Sequence, residues 1–100
     1  MNPAPSLYSK MYYVYLLKSK KNGTFYIGYT KNIGKRLKEH NAGLVEYTKK
    51  YKPWLLIYCE SFLSLEDAKR REKNLKYFGK AYSQLKFRIR NSLNIGEGAG

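Results

Sequence analysis

Residues 11–29 read Met11-Tyr12-Tyr13-Val14-Tyr15-Leu16-Leu17-Lys18-Ser19-Lys20-Lys21-Asn22-Gly23-Thr24-Phe25-Tyr26-Ile27-Gly28-Tyr29. Residues 11–18 are β-branched and aromatic in character and predict a strand. Asn22-Gly23 is the residue pair that a tight hairpin turn favours, and Thr24 to Tyr29 predicts a second, antiparallel strand. Working outward, residues 1–10 carry prolines, serines and an asparagine and read as a loose arm. Lys31 to His40 has helical spacing, with Asn32 as N-cap and Asn41-Ala42-Gly43 as the stop. Residues 44–53 read as an exposed basic loop bearing tyrosines. Trp54 to Cys59 is apolar without alternation, which predicts a central strand covered on both faces. Ser64 and Asp67 have capping-box spacing for a helix running to about Tyr77 and stopping near Gly79. Tyr82, Leu85, Ile89 and Leu93 give an apolar face to a last helix over roughly Ala81 to Ser92. The domain therefore spans 11–93, with a tail over 94–100. The expected fold class is α+β, with a three-stranded antiparallel sheet flanked by helices.

One hundred residues fit one domain with a modest core. Sixteen per cent are aromatic, which sets the chain apart from disordered sequences of comparable charge. Lys and Arg number 20 against 7 Asp and Glu, a formal charge of +13. A field of this sign attracts polyanions. Nucleic acid is the first partner it implies, and an anionic membrane surface is the second. No stretch approaches the apolar length of a membrane span. Cys59, the sole cysteine, excludes an internal disulfide and a zinc site. It reads as a buried thiol rather than a nucleophile. A lone cysteine and the absence of a signal sequence at the start suit a reducing cytoplasmic compartment.

Polar residues inside apolar stripes mark the candidate site. With Ile33 at zero on a wheel of about 100° per residue, Leu37 falls at about 40°, His40 at about 340° and Arg36 at about 300°. Arg36 and His40 thus share the apolar sector, whereas Lys35 at about 200° and Lys38 at about 140° point away. With Leu65 at zero, Ala68 is at about 300°, Leu75 at about 280° and Glu72 at about 340°. Glu72 therefore faces inward on a helix whose other charges, Lys69, Arg70, Arg71, Lys73 and Lys76, are basic. A carboxylate so placed needs a base or a metal ion, and a salt bridge to Arg36 is one alternative. Arg36 is alternatively a snorkelling arginine. His40 is alternatively a structural histidine whose protonated form the helix C-terminus favours. Gly34 in the first turn costs about 1 kcal/mol against alanine, which suggests close backbone approach to a ligand. Tyr13 and Tyr15 share one strand face; if that face meets the helices, their hydroxyls meet Arg36 and Glu72. Tyr47 and Tyr51 stand among lysines, a mixture suited to base stacking and phosphate contact or to a plain exposed loop.

These residues also carry a family resemblance. Tyr26-Ile27-Gly28, a degenerate first half-motif Tyr13-Val14-Tyr15, and the stretch Thr30 to Asn41 with Arg36 and His40, followed by Glu72, resemble the GIY-YIG nucleases. The likeness covers about Met11 to Leu85 and is to a small stand-alone form, similar to the N-terminal catalytic domain of the bacterial excision-repair nuclease. The resemblance implies DNA cleavage with one divalent ion, Mg²⁺ or Mn²⁺, held by Glu72. It further implies Arg36 as the catalytic arginine, Tyr15 and Tyr26 as the motif tyrosines, and His40 as a histidine found in part of the family. Tyr13 replaces the first motif glycine, and Tyr29 stands where the repair nucleases carry an active-site lysine. In this reading Arg36 offsets charge on the phosphate, and Tyr15 or His40 is the base for water. Tyr26 orients the reactants. The helix N-terminus near Gly34 offers N–H groups to a phosphate. Lys31, Lys35, Lys69, Arg70 and Lys73 hold the flanking backbone. With no separate recognition domain, target selection falls to the chain's own surface or to a protein partner. A non-catalytic nucleic-acid-binding protein is the alternative.

Overall fold

Three strands form one sheet in a computed structural model that describes residues 10–95. They are β1 (Tyr12–Ser19), β2 (Phe25–Thr30) and β3 (Trp54–Phe62), ordered β2-β1-β3 with both pairings antiparallel. The hairpin closes as its sequence requires: Gly23 takes φ +78°, a left-handed value that glycine adopts without strain. Its N–H donates to the Ser19 carbonyl at 2.9 Å, and the Ser19 hydroxyl accepts from the Lys21 and Asn22 N–H groups.

The centre of the sheet is β1, not the Trp54 strand. Every residue from Val14 to Ser19 is buried, whereas β3 is an edge on which Cys59 is exposed. The unbroken apolar run of β3 therefore does not report two covered faces. Leu55 to Tyr58 are only half covered, Trp54 alone of the strand is buried, and a bulge near Leu16 and Leu17 resets its register.

α1 (Ile33–Asn41) starts at Asn32, whose side chain accepts the Lys35 N–H at 3.0 Å. α2 (Leu65–Tyr77) starts at Ser64, which accepts the Asp67 N–H. α3 runs Gly79–Arg88, earlier and shorter than the apolar spacing predicts, and a 3₁₀ turn at Ser92–Asn94 follows. Ile89 and Leu93 still reach the core, so the spacing reports the buried face and not the helix end.

The alternation along β1 divides the core in two. Val14 and Leu16 pack with Ile27 against Ala68, Leu75 and Leu85 of α2 and α3. Tyr15 and Leu17 pack with Trp54 against Ile33 and Leu37 of α1. The buried Lys18 ammonium donates to the Leu93 carbonyl at 2.8 Å. No helix among the described residues is long and apolar enough to cross a membrane.

The 44–53 segment is not wholly exposed, because Thr48 is completely buried. His40, also fully buried, places Nδ1 2.7 Å from the Thr48 hydroxyl and Nε2 2.9 Å from the Tyr15 hydroxyl. Asn41 bonds both the N–H and the carbonyl of Trp54. Burial foremost, with the nearby Arg36 charge, pushes the His40 pKa down to about 4 against the opposing pull of Glu39. Its ring is thus neutral, and the protonated form expected at a helix C-terminus is not the folded one.

Two consequences are testable. The unfolded chain takes up a proton on His40 near 6.5, whereas the fold resists it until about 4. Stability is therefore full above the unfolded value and falls as the pH drops through that window, by up to ~3 kcal/mol. Urea unfolding between pH 7 and 4 checks this, and the slope should flatten in His40→Gln. Gly28 pairs with Tyr15 across the sheet, and a Cβ there would lie 2.5 Å from the phenol oxygen and 2.7 Å from Cζ. Gly28→Ala should cost ~1–3 kcal/mol, read from the urea midpoint.

Candidate active site

The site is built around the Tyr15 hydroxyl, which β1 carries to the face covered by α1. The Arg36 guanidinium lies near enough to the Tyr15 hydroxyl for each to shift the other's pKa. The Thr48 hydroxyl donates to the Val45 carbonyl at 3.4 Å and so accepts from His40 Nδ1–H, which leaves Nε2 to accept from the Tyr15 O–H. This partner logic fixes the His40 tautomer. Burial pushes the Tyr15 pKa up to about 12; the nearby Arg36 guanidinium opposes the rise. The phenol is therefore fully protonated near neutrality, and the lowering expected of it as a base is not produced by Arg36 alone. Tyr13, two residues along on the same strand, has no part in this network.

Tyr26 completes the aromatic wall. Its ring lies 5.1 Å from that of His40 and 6.3 Å from that of Tyr15, centroid to centroid. The i, i+4 spacing on α1 turns Arg36 and His40 toward Tyr15 with different exposure: His40 bonds its hydroxyl and is sealed, and Arg36 is open enough to meet a ligand.

Arg36 and Glu72 are not paired with each other. Arg36 binds Glu39 at 3.0 Å, one turn along α1. Glu72 binds Lys76 at 2.9 Å, one turn along α2. Arg36 lowers and Glu72 raises the Tyr15 pKa, so charges of opposite sign on separate helices act on its hydroxyl. Burial pulls the Lys76 pKa down, and the Glu72 carboxylate more than offsets it. Lys76 also stands 5.6 Å over the Tyr26 ring. From sequence, Lys76 is one more basic residue of α2 and its contact with the site is missed, although Glu–Lys at i, i+4 is a recognisable helix pair. Thr48 carries no comparable signal, because nothing local marks it as buried.

Among the described residues no three His, Cys, Asp or Glu side chains form a metal cage. The Glu72 side chain is 17% exposed and is held by Lys76 through Oε2. A single, partly covered carboxylate does not fit a structural ion with a full protein shell. It fits a hard dication that keeps waters and accepts substrate oxygens.

The basic residues divide. Lys31 and Lys35 line a groove of about 520 Å³ together with Tyr29, Asn32, Arg36 and Glu39. Lys69, Arg70 and Lys73 are exposed on α2 and line neither this groove nor the cleft beside Tyr26; Arg70 is tied to Asp67 at 2.8 Å. Gly34 lies exposed at the groove end of α1, where a Cβ would meet only Asn32 at 3.9 Å. Packing within the chain therefore does not require a glycine there.

A family model described as the GIY-YIG catalytic domain matches residues 11–86. The UPF0213 protein SH2523 of Staphylococcus haemolyticus is 44% identical over 70 residues, which cover 69% of this chain and 84% of the relative. The UPF0213 protein VNG_2274C of Halobacterium salinarum is 38% identical over 78 residues, covering 77% of this chain and all of the relative. The solution NMR structure of the UPF0213 protein BH0048 from Bacillus halodurans superposes with a TM-score of 0.51 at 29% identity, covering 86% of this chain and 97% of that one. The motif half Tyr26-Ile27-Gly28, the sheet order and these matches converge: the chain belongs to the GIY-YIG catalytic-domain family, alongside the UPF0213 proteins.

Proposed function

We propose that the chain is a divalent-metal-dependent endonuclease that hydrolyses a phosphodiester bond in DNA. The observation that carries this reading is that Arg36 and Glu72, on separate helices and both acting electrostatically on the Tyr15 hydroxyl, are not locked to each other. A permanent Arg36–Glu72 bridge would have filled the space a phosphate needs.

Arg36 is the phosphate ligand. Its planar fork exchanges or shares Glu39 and donates to a non-bridging oxygen, opposing the charge that builds in the transition state. Glu72 would hold one Mg²⁺ or Mn²⁺ ion, which when bound polarises the phosphate and stabilises charge on the leaving oxygen. Tyr15 and His40 act as a relay. The phenol accepts the proton of the attacking water at its oxygen while passing its own proton to His40 Nε2, whose lone pair is available because the ring is neutral. The relay combines the two candidate bases, and it needs neither a free phenolate nor an exposed imidazole. Tyr26 orients the reacting groups from the adjacent wall. Lys31, Lys35 and the peptide N–H groups near Gly34 hold the flanking phosphates along the Arg36 groove, and Lys69, Arg70 and Lys73 add to the surrounding positive field.

A binding protein without turnover is the second reading. The observation favouring it is the 2.9 Å contact of Lys76 with the carboxylate that would hold the ion.

Single-stranded, duplex, flapped and forked DNA, with matching RNA, incubated with Mg²⁺, Mn²⁺ or EDTA, separates the two. The nuclease cleaves only with metal, and Arg36→Ala and Glu72→Ala each lose at least ~100-fold in rate. No cleavage, with salt-sensitive binding intact in Glu72→Ala, leaves the binding reading. The relay makes its own prediction. His40 is protonated only near pH 4, so the pH–rate profile has no acid limb near 6.5. A limb there that disappears in His40→Ala would make His40 an independent base.

A further inference from the structure

Two large side chains near the site are left exposed and have no role in the chemistry above. Tyr47 is 80% exposed and Tyr77 is 72% exposed. Both line a cleft of about 510 Å³ along the outer edge of β2, beside the C-terminal end of α2. That volume falls within the ~300–1,000 Å³ of small-ligand sites. Tyr26 lies at the junction between this cleft and the candidate active site. Its ring is 6.0 Å from Tyr47 on one side and 5.1 Å from His40 on the other. Lys76 lines the same cleft, with its ammonium over the Tyr26 ring and bound to Glu72. The platform continues into a smaller cleft of about 220 Å³, which shares Phe25, Tyr26 and Tyr47 and ends on the buried Trp54.

A tyrosine ring left in water forgoes the burial that stabilises aromatic residues elsewhere, and two such rings, Tyr47 and Tyr77, flank one cleft beside the half-covered Tyr26. The chain carries +13, so an occupant of that cleft is part of a polyanion. Flat aromatic faces beside a cation suit a flat, π-rich group joined to phosphate. A nucleobase has both properties. Bases in continuous duplex are stacked inside the helix and cannot enter such a cleft; a base that is unpaired or extruded can.

We propose that the cleft formed by Tyr26, Tyr47, Tyr77 and Lys76 is a stacking subsite for one unpaired nucleobase next to the phosphodiester held at Arg36 and Tyr15. The preferred substrates are then strands with an unpaired segment at the cut, such as single strands and flaps, rather than uninterrupted duplex. The placement of the base relative to the cut rests on the nuclease reading; the affinity for the base does not.

Binding by fluorescence anisotropy in EDTA isolates that affinity. The probes are labelled oligodeoxythymidylate, a strand of abasic sugars with the same phosphates, and a duplex of equal length, all at one salt concentration. The full chain should bind the thymidylate strand about tenfold tighter than the abasic strand. Tyr47→Ala/Tyr77→Ala should remove most of that difference while leaving abasic-strand and duplex binding unchanged, and Tyr47→Trp should preserve it. Both positions are exposed, and an unchanged melting temperature checks that the double variant folds. Equal affinity for the thymidylate and abasic strands overturns the subsite, as does a double variant that weakens all three probes alike, since contact would then be with phosphate alone. If Glu72→Ala abolishes cleavage but the thymidylate preference persists, the subsite stands. Cleavage by wild type without any base preference removes the subsite and leaves the nuclease reading.

Discussion

The hydroxyl of Tyr15 is the point on which both the fold and the site depend. A phenol on the central strand of a small sheet is buried at a cost unless its O–H finds a partner. Here the partner is His40, in turn bonded to Thr48, so one polar chain ties β1, α1 and the following loop together. The ring fits because the residue opposite is Gly28, and any Cβ there would collide with it. The second half-motif is thus a packing solution as well as a signature: its glycine gives the space that its partner strand's tyrosine fills. The same arrangement keeps His40 neutral and aims its lone pair at the phenol, the geometry on which the proposed relay rests.

Charge is arranged on a second principle. Among the described residues, the carboxylates of Glu39, Glu46, Glu60, Asp67 and Glu72 each hold a basic side chain. The exposed pairs Glu46–Lys49 and Asp67–Arg70 contribute little to stability, about 0–1 kcal/mol each. The others act by position. Glu39 orients Arg36 without removing it from its groove, and Lys76 covers Glu72 while standing over Tyr26. The Glu60–Arg71 pair, joined by Tyr58, ties β3 to α2 away from the groove. The remaining positive charge is left to the surface, where its field favours polyanions.

Much of this is legible in the chain alone. The hairpin follows from Asn22-Gly23 between two β-rich runs, and the helix starts follow from Asn32 and Ser64, because turn and cap chemistry acts over two or three residues. The inward set of Arg36, His40 and Glu72 follows from helical period alone. The Trp54 strand misleads because a run of apolar residues reads the same whether a strand is central or half covered at an edge. Cys59 is misplaced for the same reason. The last helix is drawn too long because an apolar face continues through a 3₁₀ turn as readily as through an α-helix.

What the sequence determined by itself was everything with a short range or a fixed period: the strands and their turn, the helix caps, the basic surplus and the faces on which the polar residues lie. The tertiary structure decided which strand is central, which base each carboxylate holds, the neutrality of His40, and the meeting of Tyr26, Tyr47 and Lys76 around one cleft. Those outcomes depend on residues far apart in the chain, and a burial or a contact of that kind has no local pattern to announce it. Lys76 and Glu72 were visible as a helix pair, but only the packing of α2 beside β2 set that pair over the ring of Tyr26.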